Sequence, residues 1–142
     1  MAETLTTSGD GVEVVVGKAG SGKAHALAVT HDAWQRAGVR VIGTALAARA
    51  ARGLQEASGI PSTTLHRLLI ACEDPTRPGS PLPAGGVVVV DETSMVGTRE
   101  LARLLAHAHA QDTKVILVGD PAQLPEINAG GLFRARVTPL PN

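Results

Sequence analysis

The sequence predicts an α/β domain: a parallel sheet of about four to five strands flanked by helices. Two observations lead there. β-Branched apolar runs alternate along the chain with segments whose apolar residues recur at helical spacing, the pattern of strands joined by right-handed crossovers. The chain is also 44% hydrophobic while Trp34 and Phe133 are its only aromatic residues. Its core must therefore be built from Ala, Val and Leu, the residues of helices packed on a buried parallel sheet. The length of 142 residues fits one domain, and a single unit over 1–142 is expected. Folding at that size removes roughly 68–70% of the chain's surface from water, enough for a real core.

Each element follows from local pattern. Val12–Val16 is a β-branched run that ends at Gly17, as a buried strand should. A helix is expected from Lys23 to about Ala37, with Leu27, His31 and Trp34 on one face. Residues 39–44 form a second strand. Ala47, Ala50, Ala51 and Leu54 then mark a helix that ends near Gly59 and Pro61. Thr63 or Thr64 is placed to cap a short helix with Leu65, Leu68, Leu69 and Cys72 on its inner face. Residues 73–86 carry four prolines and three glycines and read as a flexible surface loop within the domain. Val87–Val90 is the most hydrophobic strand, Leu101, Leu104, Leu105 and Ala108 mark a helix, and 114–118 is a fourth strand. A last short helix is expected over 128–136.

Charge and cysteine content narrow the function. Thirteen Lys plus Arg balance thirteen Asp plus Glu, which argues against a binder held to nucleic acid by bulk positive charge but leaves room for a local basic strip. One cysteine, Cys72, excludes a disulfide framework and a cysteine-cluster zinc site. No apolar run approaches the ~18 residues of a membrane span, and residues 1–11 have no signal-peptide core, so a soluble cytoplasmic protein is expected. His107 and His109 stand ~200° apart on a helix and cannot chelate one metal.

Three segments carry chemistry. Gly17, Lys18, Ala19, Gly20, Ser21, Gly22, Lys23 and Ala24 join a strand to a helix in the G-x-x-x-x-G-K pattern. Glycines let the backbone wrap an anion with successive N–H groups turned inward, the helix start adds positive potential, and Lys23 reaches the β- and γ-phosphates. The next position normally offers a Ser or Thr hydroxyl to Mg2+, and Ala24 has no oxygen to give. The second segment, 87–92, carries Asp91 and Glu92 to the carboxyl edge of the sheet. There an aspartate can hold Mg2+ and a neighbouring glutamate can orient an attacking water, although alone the pair also reads as a solvated acidic turn. The third, 118–125, presents Gln123 just past a strand, either to sense a γ-phosphate or as part of a proline-rich turn.

GKAGSGKA, VVVVDETSMV and LVGDPAQLPEINAGGLF, in that order and spacing, resemble the Walker A, Walker B and motif III segments of superfamily 1 DNA helicases. The helicase portion of conjugative relaxases of the TraI/TrwC type looks nearest, with the exonuclease V alpha subunit as a relative. The intervening GTALAARAARGLQEASGI and STTLHRLL are similar to that family's motif Ia and the DNA-contacting segment after it. The resemblance runs over 12–136 and implies a RecA-like P-loop NTPase fold, with the 114–118 strand inserted between the Walker A and Walker B strands. It implies ATP on Gly20, Gly22 and Lys23, metal on Asp91, water handled by Glu92, and Gln123 coupling the γ-phosphate to DNA. Single-stranded DNA would cross the face that carries Thr44, Arg49, Arg52, His66 and Arg67. Between Arg36 and Arg67 there are five arginines and one acid, Glu56, which also suits a solvated helix face.

Helicases of this group use two RecA-like domains, the second supplying an arginine finger worth ~10³–10⁵ in rate. The resemblance therefore implies a first motor domain cut short, completed by a second motor domain or another chain, with little ATPase or unwinding of its own. A partner strand for Val12–Val16 would then be missing, leaving a valine-rich edge prone to self-association. The alternatives from other classes are a small P-loop phosphotransferase and a non-catalytic interaction module.

Overall fold

The computed structural model describes residues 12–16, 23–92, 96–119 and 136–139. Its elements are β1 (Val12–Val16), α1 (Lys23–Arg36), β2 (Val41–Ala45), α2 (Ala48–Ser58), β3 (Ser62–Thr64), α3 (Leu65–Cys72), β4 (Val87–Val90), α4 (Thr98–Ala110), β5 (Lys114–Gly119) and β6 (Arg136–Pro139). The strands form one six-stranded sheet in the order β3-β2-β4-β5-β1-β6, and every pairing is parallel. β5 lies between β1 and β4, as the resemblance implies for the strands of the phosphate loop and the acidic pair. This is the RecA-like arrangement.

Alternation along the strands assigns side chains to two helical layers. Val41, Val87, Val89, Ile116 and Val118 pack with Leu27 and Trp34 of α1 and Leu54 of α2. Val88, Val90, Val115 and Leu117 pack with Leu65, Leu68 and Leu69 of α3 and Leu101, Leu104 and Leu105 of α4. Both faces of the sheet are thus covered, which is why β4 and the middle of β5 read as unbroken apolar runs rather than alternating ones.

The helix ends follow their residues. Thr64 caps α3, its hydroxyl accepting from Arg67 N at 3.2 Å. Gly59 ends α2 at φ 80°, a conformation glycine adopts without a Cβ clash, and its N–H donates to Gln55 O. Gly43 has a different task. A Cβ there would stand 2.5 Å from Ser62 Oγ and 2.8 Å from Leu54 Cδ2, so its absence lets α2 and the β3 strand close onto β2.

Three sequence expectations change. Among the described residues the sheet has six strands rather than four or five. β3 was invisible because three polar residues, Ser-Thr-Thr, make no apolar run and take their place only by pairing with Gly43, Thr44 and Ala45. The helix expected over 128–136 is contradicted at its end, where Arg136 opens a strand, while 128–135 lie outside the described residues. β6 pairs with β1 from Glu13 to Val16, so the valine-rich edge expected there is covered. The outer strand on that side holds Arg136 and Pro139, and a proline has no N–H to offer a further strand.

Residues 73–86 form neither helix nor strand. Their second half is anchored, with Leu82 buried among the α3 and α4 side chains and Thr113 Oγ1 donating to Pro83 O at 2.9 Å. Among the described residues no helix is long and apolar enough to cross a membrane.

Candidate functional site

Because all strands run parallel, their carboxyl ends lie on one edge of the sheet, where ligands of open α/β sheets bind. β1 ends there at Val16, opposite Gly119 of β5, while Val90 of β4 is in register with Leu117. The chain leaving β1, the acidic pair leaving β4 and the chain leaving β5 therefore emerge side by side, with adjacent strands about 4.8 Å apart. Gly17, Lys18, Ala19, Gly20, Ser21, Gly22 and Gln123 fall outside the described residues. Lys23 and Ala24 form the first two positions of α1.

Asp91 is half-buried directly after β4, and its backbone N–H donates to Thr44 O at 2.9 Å, continuing the β2–β4 ladder by one step. Its Oδ1 accepts from Glu92 N at 2.8 Å. Glu92 is exposed and holds φ at 53°, the left-handed region that disfavours a residue with a Cβ by about 1–2 kcal/mol. The hydrogen bond from Glu92 N to Asp91 offsets part of that strain, and the turn re-aims the chain sharply just where two carboxylates follow one another.

Asp91 and Glu92 line a cavity of about 200 Å³ together with Leu27, Ala50, Gly53, Leu54 and Ala57 among the described residues. Leu27 stands four residues, about one turn, after Lys23 along α1. The helix that opens with the phosphate-loop lysine thus borders the same cavity as the acids of β4. No cluster of three metal-ligating side chains exists among the described residues. The two carboxylates present, Asp91 and Glu92, suit Mg2+, which takes one or two carboxylates and completes its shell with phosphates and water.

The residues expected to meet DNA separate into two groups. Arg49, Arg52, His66 and Arg67 are exposed. Arg52 and Arg67 come together across a groove of about 430 Å³ between α2 and β3, with Thr63, Thr64, Gln55 and Glu56 also on its walls. Arg49 and His66 do not line it. Thr44 is completely buried, and its hydroxyl has no hydrogen-bond partner among the described residues.

A cluster that the sequence did not disclose lies on the opposite layer. Arg103 of α4 grips Glu73 through both Nε and a terminal nitrogen, and His107 Nε2 donates to Glu73 Oε2 at 3.0 Å. The Arg103 hydrogen bond, with help from His107, holds the Glu73 carboxyl down at about 2. Next to it, burial raises the Cys72 thiol, against a hydrogen bond from Ser80 that lowers it. Thirty and thirty-four residues separate the partners of Glu73, a distance no local pattern encodes.

Comparison with known proteins gives a consistent result. Residues 1–139 match the AAA domain family. The chain is 39% identical over 124 residues to a probable conjugal transfer protein TraA of Sinorhizobium fredii, covering 87% of this chain and 11% of that protein. It is 37% identical over 151 residues to the RecBCD enzyme subunit RecD of Mycolicibacterium smegmatis, covering 87% of this chain and 27% of the relative. Among solved structures, the Pif1 helicase from Candida albicans superposes with a TM-score of 0.58 at 18% identity, over 98% of this chain and 38% of that one. The chain spans about a tenth to a quarter of the length of these curated relatives.

Proposed function

From the premise that this chain belongs to the AAA domain family, as a RecA-like domain of the superfamily 1 helicase kind related to TraA and RecD, we propose that it is an ATP-binding motor domain that acts on single-stranded DNA. The observation that carries this reading is the shared cavity. Leu27, one turn beyond Lys23, and the acids Asp91 and Glu92 border one space at the carboxyl edge of the sheet. A phosphate-binding helix and an acidic pair that met nowhere would argue for a chance motif.

In this proposal the backbone N–H groups of 17–22 and the Lys23 ammonium bind the β- and γ-phosphates. Asp91 takes the metal, held in place by its bond to Glu92 N. Glu92, turned outward by its left-handed backbone, orients the attacking water. Gln123 contacts the γ-phosphate and relays its loss. Bound Mg2+ neutralises phosphate charge and polarises the γ-phosphoryl group. Ala24 contributes no oxygen to the metal, so binding depends on Mg2+ less than in a loop with Ser or Thr at this position. Arg52 and Arg67 grip the DNA backbone across their groove, with Arg49 and His66 beside them. A second motor domain or another chain would complete that track; the TraA relatives carry the name of conjugal transfer proteins, and a role in conjugal DNA transfer, in the cytoplasm, is part of this proposal.

Calorimetry with ATP tests the nucleotide site. Losing a charge-assisted contact of about 1.5–3 kcal/mol, Lys23→Ala should weaken binding by about tenfold to a hundredfold. Ala24→Thr should make binding tighter in Mg2+ but not in chelator. ATP affinity untouched by Lys23→Ala would overturn the reading.

A further inference from the structure

The arginine groove holds a carboxylate that a cleft built only for phosphates would exclude. Arg52, Gln55 and Glu56 face the groove from α2, on one stripe of the helix, and Arg67 faces them from α3. Two arginines against one glutamate leave it net positive, which suits a phosphate backbone. Glu56 works against that purpose, because a carboxylate beside a bound phosphodiester repels it. Arg52 stands four residues before Glu56, the spacing at which ion pairs form along a helix, yet neither Arg52 nor Arg67 pairs with Glu56. The carboxylate therefore remains an acceptor. Its neighbour Gln55 has a fixed polarity. The Gln55 side chain accepts from Ser62 N at 2.9 Å. A backbone N–H only donates, so the atom turned to β3 is Oε1, and Nε2 keeps two N–H groups for another partner. Gln55 and Glu56, adjacent and both exposed, thus offer a donor and an acceptor to one groove.

We propose that this pair reads bases, so that the groove prefers a base with an exocyclic amine beside a ring-nitrogen acceptor, cytosine or adenine, over thymine or uracil. The proposal rests on the groove being a single-stranded DNA site, as given above, and adds which DNA it holds. The exocyclic amine of cytosine or adenine donates to the Glu56 carboxylate, while the adjacent ring nitrogen accepts from Gln55 Nε2. On thymine and uracil the amine is replaced by a carbonyl, whose oxygen would face the carboxylate. Their ring nitrogen carries a proton, which would meet the Gln55 N–H. Both contacts reverse at once, so discrimination comes from repulsion of the wrong base as well as attraction of the right one. Arg52 and Arg67 add affinity without preference, since every nucleotide carries the same phosphate.

Oligo-dC and oligo-dU differ only at that edge, so their affinities for the full chain isolate it. Fluorescence anisotropy at pH 8, where cytosine is neutral, should show the wild type holding oligo-dC about fivefold or more tighter. In Glu56→Gln both should bind tighter as the repelling charge goes. The ratio should then fall toward one, because an amide can turn either its oxygen or its nitrogen to the base. Gln55→Glu can still accept from Ser62 N but presents an oxygen in place of the N–H groups. There oligo-dC should lose more affinity than oligo-dU. Arg52→Ala should weaken both alike, leave the ratio in place and flatten the salt dependence. A purely electrostatic role for Glu56 would move the two oligonucleotides together. Equal wild-type affinities, or a ratio kept in Glu56→Gln, would overturn base reading and leave the motor-domain reading standing. Binding of neither oligonucleotide would overturn the DNA reading with it.

Discussion

The two helical layers cover the same sheet with different materials. On one side α3 and α4 bring six leucines to the core against Val88, Val90, Val115 and Leu117. Their surface is fastened by Glu73, Arg103 and His107. On the other side α1 and α2 bring Leu27, Trp34 and Leu54, a buried His31, and a row of small residues that leaves about 200 Å³ open beside Asp91 and Glu92. Among the described residues leucines fill the first layer, while in the second small residues border a space beside the acids. The difference lies in what meets the sheet: on one side leucines interdigitate at interior density, whereas on the other small side chains border a cavity beside two carboxylates. Both layers rest on one sheet, so either can be perturbed while the other is watched.

The largest expected effect breaks the filled layer. Leu104 is fully buried among α3, α4 and the sheet. Leu104→Ala removes about 2–5 kcal/mol of stability by transfer and cavity terms together. Denaturant unfolding should show that loss while ATP affinity of the folded fraction stays near wild type. A matching drop in ATP affinity would mean that the layers are not separable. A smaller effect of opposite sign is expected at the carboxyl edge of the same layer. Thr44 shares the face of Ile42, which packs toward α3 and α4. Its buried hydroxyl has no partner among the described residues, so Thr44→Val, nearly the same in volume, should stabilise by about 1 kcal/mol. Destabilisation would reveal a partner among the residues that follow Glu92.

The filled layer was also the legible one. Leucines at positions 65, 68, 69, 101, 104 and 105 repeat at helical spacing, and the valine run of β4 announces a strand buried on both faces. The acids that end that run, the strand-to-helix junction at Lys23 and the position of β5 between β1 and β4 followed from local pattern and from the resemblance. What stayed hidden depends on distant chain. β3 is polar and has no strand signal of its own, and β6 exists by pairing with a strand more than a hundred residues earlier. The same holds in the candidate site. Arginines at 52 and 67 were candidates through the family resemblance, with modest support from charge, but only the close approach of α2 to β3, allowed by Gly43, brings them across one groove. Thr44 was grouped with them by the same resemblance, and the pleat turns it inward.

The smallest expected effect sharpens the comparison at the surface of the filled layer. Glu73 follows α3 and takes two nitrogens of Arg103 and one of His107, both on α4, so its carboxylate is bound more favourably in the folded chain than in the unfolded one. The folded value lies near 2, below the ordinary 4.5. A depressed carboxyl of this kind contributes stability that is fully present above the unfolded value and is lost as pH falls from about 4.5 toward 2. The group is exposed and the pair is screened by solvent, so the contribution is minor beside Leu104. Asp74, lowered by its hydrogen bonds from Thr76, titrates alongside and must be left intact. Comparison of the wild type with Glu73→Gln therefore isolates the trio. Urea midpoints should differ most at pH 6–7, converge as pH falls below about 4.5, and coincide near pH 2. Salt should shrink the gap at neutral pH, because exposed pairs are screened. Equal midpoints at pH 7 and at low salt would show that α3 and α4 are joined by their leucines alone, with the surface trio adding nothing.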